Sequence, residues 1–231
     1  MLDLARLAWP EVPPAGLVLV PIGSTEQHGP HLPFTTDTVI AQAVAADLAE
    51  RSGGVLAPPV AYGASGEHQS FRGTISIGHE ALATLVVELI RSLSTWADRI
   101  VLVNGHGGNV QTLREVVPRM RRETHRVAWV PAGLPGGDAH AGRTETSLML
   151  HLHPAAVRLD LLEPGATGDL ASLLPALRSG GVAAVSPNGV LGDPRGASAE
   201  EGAELFEAIR ASAERRLRAD TVGADGCLAD A

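Results

Sequence analysis

The chain has 231 residues, with 18 Lys+Arg against 26 Asp+Glu and a formal net charge of −8. A hydrophobic share of 45% with 19% charged residues excludes global disorder, and the acidic excess argues against nucleic-acid or anionic-membrane partners, which need clustered cations. Cys227 is the one cysteine, which rules out an internal disulfide framework or a multi-cysteine metal site and fits a reducing cytoplasm.

In chain order, the β-branched run 16–22 between Gly and Pro reads as a buried strand. The alanine-rich stretch 38–50, opened by Asp37 and closed by Gly53-Gly54, reads as a helix. Residues 55–60 form a second short strand. Leu82, Leu85, Val86, Leu89, Ile90 and Leu93 recur at helical spacing within 80–97. A strand over 99–104 follows, then a helix over 109–124 kinked at Pro118, a strand over 127–131, and helices over 144–152 and 200–219. Residues 186–196 form a long Gly/Pro/Asp-rich loop, and 221–231 a frayed tail. No apolar run approaches the roughly 20 residues of a membrane span. Strand and helix alternate at short spacing, so the expectation is one α/β domain over 1–231: a three-layer α/β/α sandwich on a mostly parallel sheet.

Open α/β sheets bind ligands at the carboxyl ends of their strands, and the polar clusters fall there. Glu26, His28 and Asp37 follow the first strand; His106, set among glycines, follows the strand at 99–104; Asp138, His140 and Glu145 follow the strand at 127–131. Converging His, Asp and Glu without thiolate are the donor set of a divalent-metal hydrolase. Glu26 and His28, two apart, face one way on an extended segment. Asp37 equally suits a helix cap and Glu145 a first-turn helix charge, and the residues alone leave these readings open.

The segments Pro21–Pro33 with Asp37, Asn104-Gly105-His106-Gly107-Gly108-Asn109, and His140-Ala141-Gly142 with Glu145-Thr146-Ser147 resemble the creatininase (creatinine amidohydrolase) family. The resemblance spans about 16 to 155 and implies a creatininase-like fold with two divalent ions per subunit (Zn²⁺, Fe²⁺ or Mn²⁺). It implies Glu26, His28, Asp37, His106 and Glu145 as ligands, Asp37 as their bridge, and His140 as the catalytic histidine. Gly108 departs from creatininase itself, which carries a glutamate there. Residues 62–71 and 186–194 are similar to a branch of the family acting on peptides. That likeness implies release of a C-terminal Val-Tyr dipeptide from a modified ribosomal precursor peptide. Glu67 and His68 are candidates for contacting substrate at the mouth of the site, with a locally hydrogen-bonded turn as the alternative reading. A cytoplasmic homo-oligomer, often a hexamer, is implied as well. The rival readings are a small-molecule amidohydrolase of the same family, of creatininase or formamidopyrimidine deformylase type, and a non-catalytic binding protein on this fold.

Overall fold

A computed structural model describes residues 1–14, 16–168 and 170–230. Its centre is a five-stranded sheet in which every pairing is parallel, in the order β1-β3-β2-β4-β5. The strands are β1 (Leu2–Asp3), β2 (Leu17–Ile22), β3 (Val55–Leu56), β4 (Arg99–Asn104) and β5 (Val127–Pro131). The helices are α1 (Thr36–Ser52), α2 (Gly78–Leu93), α3 (Val110–Arg122), α4 (Arg143–Leu152), α5 (Leu170–Gly180) and α6 (Ala199–Ala219).

Side chains alternate across a strand, so each strand feeds two cores. Leu19, Val101, Val103, Ala128 and Val130 pack against α1, α4 and α6. Val18, Val20, Ile22, Ile100, Leu102 and Trp129 pack against α2 and α3. With both faces covered, the strands read as nearly unbroken apolar runs, and the result is the three-layer α/β/α sandwich.

Three local expectations are corrected. The strand foreseen over 55–60 is only Val55–Leu56, because Pro58 and Pro59 cannot donate to a ladder; Val60 returns to pair Ile22 in a single bridge. Helix α2 ends at Leu93 rather than 97. The frayed tail is instead a packed segment over 221–230. Cys227 bridges to Trp129, Val222 to Leu228, and the Leu228 side chain is fully buried. The Trp129 indole N–H donates to the Asp225 carbonyl at 3.0 Å, so the segment covers the free edge of β5. Strand β1 and helix α5 were not anticipated. Pro118 lies within α3, where its missing N–H removes one helical hydrogen bond. Among the described residues no helix is long and apolar enough to cross a membrane.

Candidate metal centre

The loops after β2, β4 and β5 meet at the carboxyl edge of the sheet because parallel strands all end on one side. Asn109 ties two of them to the segment after β3. Its amide oxygen accepts from the Ala64 N–H (3.0 Å), and its amide nitrogen donates to the Gly23 carbonyl (2.9 Å) and to Asn104 Oδ1 (3.2 Å). Below these loops lies a 710 Å³ cavity lined by Glu26, Asp37, Glu67, His68, His106, His140 and Glu145 among others, with His28 buried beneath it. The structure therefore brings together eight of the nine side chains singled out from the sequence: Glu26, His28, Asp37, Glu67, His68, His106, His140 and Glu145. Asp138 stays outside the cavity lining, its carboxylate accepting from the Arg143 and Thr144 backbone N–H groups at the start of α4.

Asp37 sits in the first turn of α1, yet its side chain does not cap the helix. Oδ1 lies 3.1 Å from His28 Nε2, and Oδ2 lies 3.1 Å from His106 Nδ1 while accepting from Ser24 Oγ at 2.7 Å. Glu145 Oε2 is 3.8 Å from His28 Nε2 and accepts from the Ala141 N–H at 2.6 Å. Carbonyl oxygens only accept, which fixes the imidazole tautomers. His28 Nδ1–H donates to the Glu26 carbonyl (3.1 Å) and His106 Nε2–H to the Ala64 carbonyl (3.1 Å). Each ring thus aims its other nitrogen at Asp37, with the backbone carbonyl behind it holding the ring in that orientation.

Glu26 Oε2 is fully buried without a hydrogen-bond partner, although His106 Nε2 is only 3.1 Å away. An oxygen close to polar neighbours but aligned with none of them suits lone pairs converging on a cation. Among the described residues, three groupings hold their donor atoms within 4.8 Å: Glu26–His28–Asp37, Glu26–His68–His140 and His28–His140–Glu145. These donors fit divalent metal.

The charges tell the same story. Burial and then Asp37 push the Glu26 carboxyl up to about 7, and burial pushes Glu145 to about 7. Burial opposes charge on His28, but Asp37, Glu145 and Glu26 outweigh it and raise the ring to about 10. His106 is likewise raised to about 9 against burial, chiefly by Glu26 and Asp37. Asp37, despite burial, is held well below the carboxylate range by His28 and His106. The protein alone balances its buried carboxylates by holding protons on two imidazoles, the role a metal cation takes over when it displaces them.

His140 behaves differently. Burial and the charge on His28 hold it neutral, well below its ordinary value. Its Nε2–H donates to the Gln27 carbonyl at 2.8 Å, which leaves Nδ1 bare and 3.7 Å from Glu26 Oε1. The 186–196 loop fixes its backbone: Leu191 N–H donates to the His140 carbonyl (2.8 Å), and His140 N–H to the Leu191 carbonyl (3.2 Å). Its ring lies 4.3 Å from that of His28 and 4.4 Å from that of His68.

Sequence reasoning missed Gln27, buried between these rings. Its amide N–H₂ donates to His68 Nδ1 (2.8 Å) and the Gly189 carbonyl (3.0 Å), turning His68 Nε2–H toward Glu26 Oε1 at 3.3 Å. Alternation assigned Gln27 to the opposite side from Glu26 and His28; the loop's departure from strand geometry brings it to the site. Gly108 is crowded rather than open: a Cβ there would meet the Ala64 carbonyl and the His106 ring, and would sit 2.9 Å from Glu67 Oε1. The Glu67 carboxylate therefore stands in the space beside Gly108, 4.0 Å from His106 Nε2.

The family model for creatininase (creatinine amidohydrolase) matches residues 5–217. The mycofactocin precursor peptide peptidase of Mycobacterium ulcerans (strain Agy99) is 54% identical, covering 95% of this chain and 89% of its own. The one of Mycolicibacterium smegmatis is 56% identical, covering 87% and 85%. A solved structure, "Creatininase Mn", superposes with a TM-score of 0.81 at 28% identity, covering 95% of this chain and 98% of that one. With the family model matched over nearly the whole sandwich and the same fold in a solved member, the chain belongs to the creatininase family, whose members hydrolyse amide bonds with metal.

Proposed function

We propose that this chain is a divalent-metal peptidase that releases a C-terminal Val-Tyr dipeptide from a modified ribosomal precursor peptide, that of mycofactocin. The observation carrying the chemistry is the gathering of Glu26, His28, Asp37, His106 and Glu145 at one cavity, with Glu26 Oε2 buried and without a hydrogen-bond partner. The substrate is supported by identities of 54% and 56% to precursor peptide peptidases.

In this reading Glu26, His28, Asp37, His106 and Glu145 would hold two divalent ions per subunit (Zn²⁺, Fe²⁺ or Mn²⁺), which would supply an acidified water and polarise the scissile carbonyl. The chain's residues do the rest. His140, neutral and with its Nε2–H committed to Gln27, offers Nδ1 to take the water's proton and hand it to the leaving nitrogen. Gln27 and His68 fix the orientation of His140 and Glu26. Glu67 and His68 meet the substrate at the cavity wall. The enzyme works in the cytoplasm as a homo-oligomer, a hexamer by family likeness, which size-exclusion with light scattering checks.

The test is mass spectrometry of products after metal-loaded protein meets a peptide ending in Val-Tyr, with a chelated control. Metal-dependent loss of the dipeptide is expected. An intact peptide with metal content verified would overturn the peptidase reading in favour of a small-molecule amidohydrolase.

A further inference from the structure

One carboxylate oxygen of the site is bare, and the neighbouring loop has no side chain to answer it. Glu26 Oε2 is buried without a hydrogen-bond partner. The loop after β4 passes beside it, with His106 Nε2 at 3.1 Å, yet two residues further on it offers only Gly108. A divalent ion at a catalytic site takes about three protein ligands and keeps a position for water. The other buried carboxylates already have partners, Asp37 between His28 and His106 and Glu145 on the Ala141 N–H.

Glu67 is carried to this gap by its turn. Residues Gly66–His68 form one 3-10 turn, and the two residues before it are bonded to the loop after β4. The Ala64 carbonyl accepts from His106 Nε2–H (3.1 Å), Ser65 Oγ lies 3.3 Å from the same nitrogen, and the Ala64 N–H donates to Asn109 Oδ1 (3.0 Å). Ser76 Oγ accepts from the Ser65 N–H at 2.9 Å. Behind the turn stands Gly181, directly after α5, where a Cβ would be 2.6 Å from the Glu67 carbonyl oxygen. The backbone is therefore anchored while the side chain is not. The Glu67 carboxylate is 38% exposed, and its one ion contact among the described residues is with His106 Nε2, at 4.0 Å. Glu26 Oε2 and Glu67 Oε1 thus both lie within 4.0 Å of a single ring atom. A Cβ at position 108 would stand 2.9 Å from Glu67 Oε1, so a side chain there and the Glu67 carboxylate would compete for one space.

We propose that Glu67 is a further metal ligand, supplying the carboxylate that Gly108 lacks to the ion that Glu26 helps to hold. This rests on the metal-centre reading and not on the identity of the substrate. Glutamate reaches through three side-chain torsions, so its carboxylate can close on an ion while the anchored turn stays in place. Glu26, Asp37, Glu145 and Glu67 together match the charge of two divalent ions, which lets His28 and His106 ligate as neutral rings. A carboxylate has two oxygens, and one on the ion leaves the other to face the substrate.

The experiment titrates Zn²⁺ alone into chelated protein and counts the retained metal by elemental analysis after gel filtration. The unsubstituted chain should retain two ions. Glu67→Gln should retain about one, with the Kd of the other raised about 100-fold or more. Glu67→Asp, which keeps the charge on a shorter arm, should recover part of that affinity. Two ions bound with unchanged affinity by Glu67→Gln would overturn the ligand role and confine Glu67 to the substrate. Loss of both ions at once would overturn its assignment to one of them. Failure of the unsubstituted chain to bind Zn²⁺ would overturn the metal centre itself.

Discussion

At the amino ends of β4 and β5, Arg99, Arg121 and Arg126 gather round a 260 Å³ hollow; at the carboxyl ends of the same strands, carboxylates and imidazoles gather round one of 710 Å³. In the first group the partly buried Arg99 is satisfied within the protein: it pairs with Asp220 at 2.8 Å and donates to the Leu217 carbonyl at 3.3 Å. Arg121 donates to the Val127 carbonyl at 2.9 Å, and Arg126 is exposed to solvent. The second group is buried and incomplete. Glu26 Oε2 has no hydrogen bond, and two buried imidazoles must stay protonated to offset the acids around them. Charged residues at a strand end therefore say little by themselves. What separates a structural cluster from a reactive one is whether the protein supplies every partner.

That contrast can be broken or sharpened. Asp37→Ala removes the carboxylate between His28 and His106 and should abolish both metal content and turnover, a loss of about 10⁴-fold or more, since several kcal/mol of charge stabilisation go with the metal. Retained activity would remove Asp37 as bridge. His140→Ala should keep metal content by elemental analysis while kcat falls by about 10²–10⁴-fold; an unaltered kcat takes His140 out of the proton transfer.

Acid stability offers a third test, on chelated protein. Burial, then the charge on His28, depresses His31 to about 4, and burial depresses His68 to about 3, from an ordinary 6.5. Below pH 6.5 the unfolded chain takes up protons that these folded rings refuse, so the two rings lower stability as pH falls from about 6.5 toward 4, partly offset by Glu26 and Glu145, which take up protons near 7 when folded and near 4.5 when unfolded. His28 and His106 do not counter this slope: their raised values give stability that is full below 6.5 and lost only as pH rises through about 9 and 10. His31→Asn should flatten the decline of Tm, recovering on the order of 3 kcal/mol at the acid limit. An identical slope in the variant would exclude His31 as a contributor. The smallest effect belongs to the other end of the sheet. Arg99→Gln should cost about 1 kcal/mol of stability in denaturant titration and leave kcat as it was. A fall in kcat would show that the two ends are coupled and that the contrast fails.

Particular residues separate what the chain carries locally from what its fold assembles. Glu26, His28, Asp37, His106 and His140 were legible because they occupy the residues just after apolar strands, where parallel topology must gather them. Gln27 was not, since strand alternation assigns it to the wrong side and only the loop's course returns it.

The alternation of strands and helices from β2 to α4, the covering of both sheet faces and the His/carboxylate character of the site follow from the sequence alone, because hydrophobic patterning and helix-forming runs are local properties of the chain. The tertiary structure decided the rest. It packed 221–230 onto β5, where the sequence suggested a loose end, because Leu228 finds a buried place beside Trp129. It set each imidazole's tautomer through backbone carbonyls distant from or adjacent to it, and left Glu26 with an oxygen that no protein group satisfies. Those outcomes depend on groups brought together across many residues, and no periodicity within one segment encodes them.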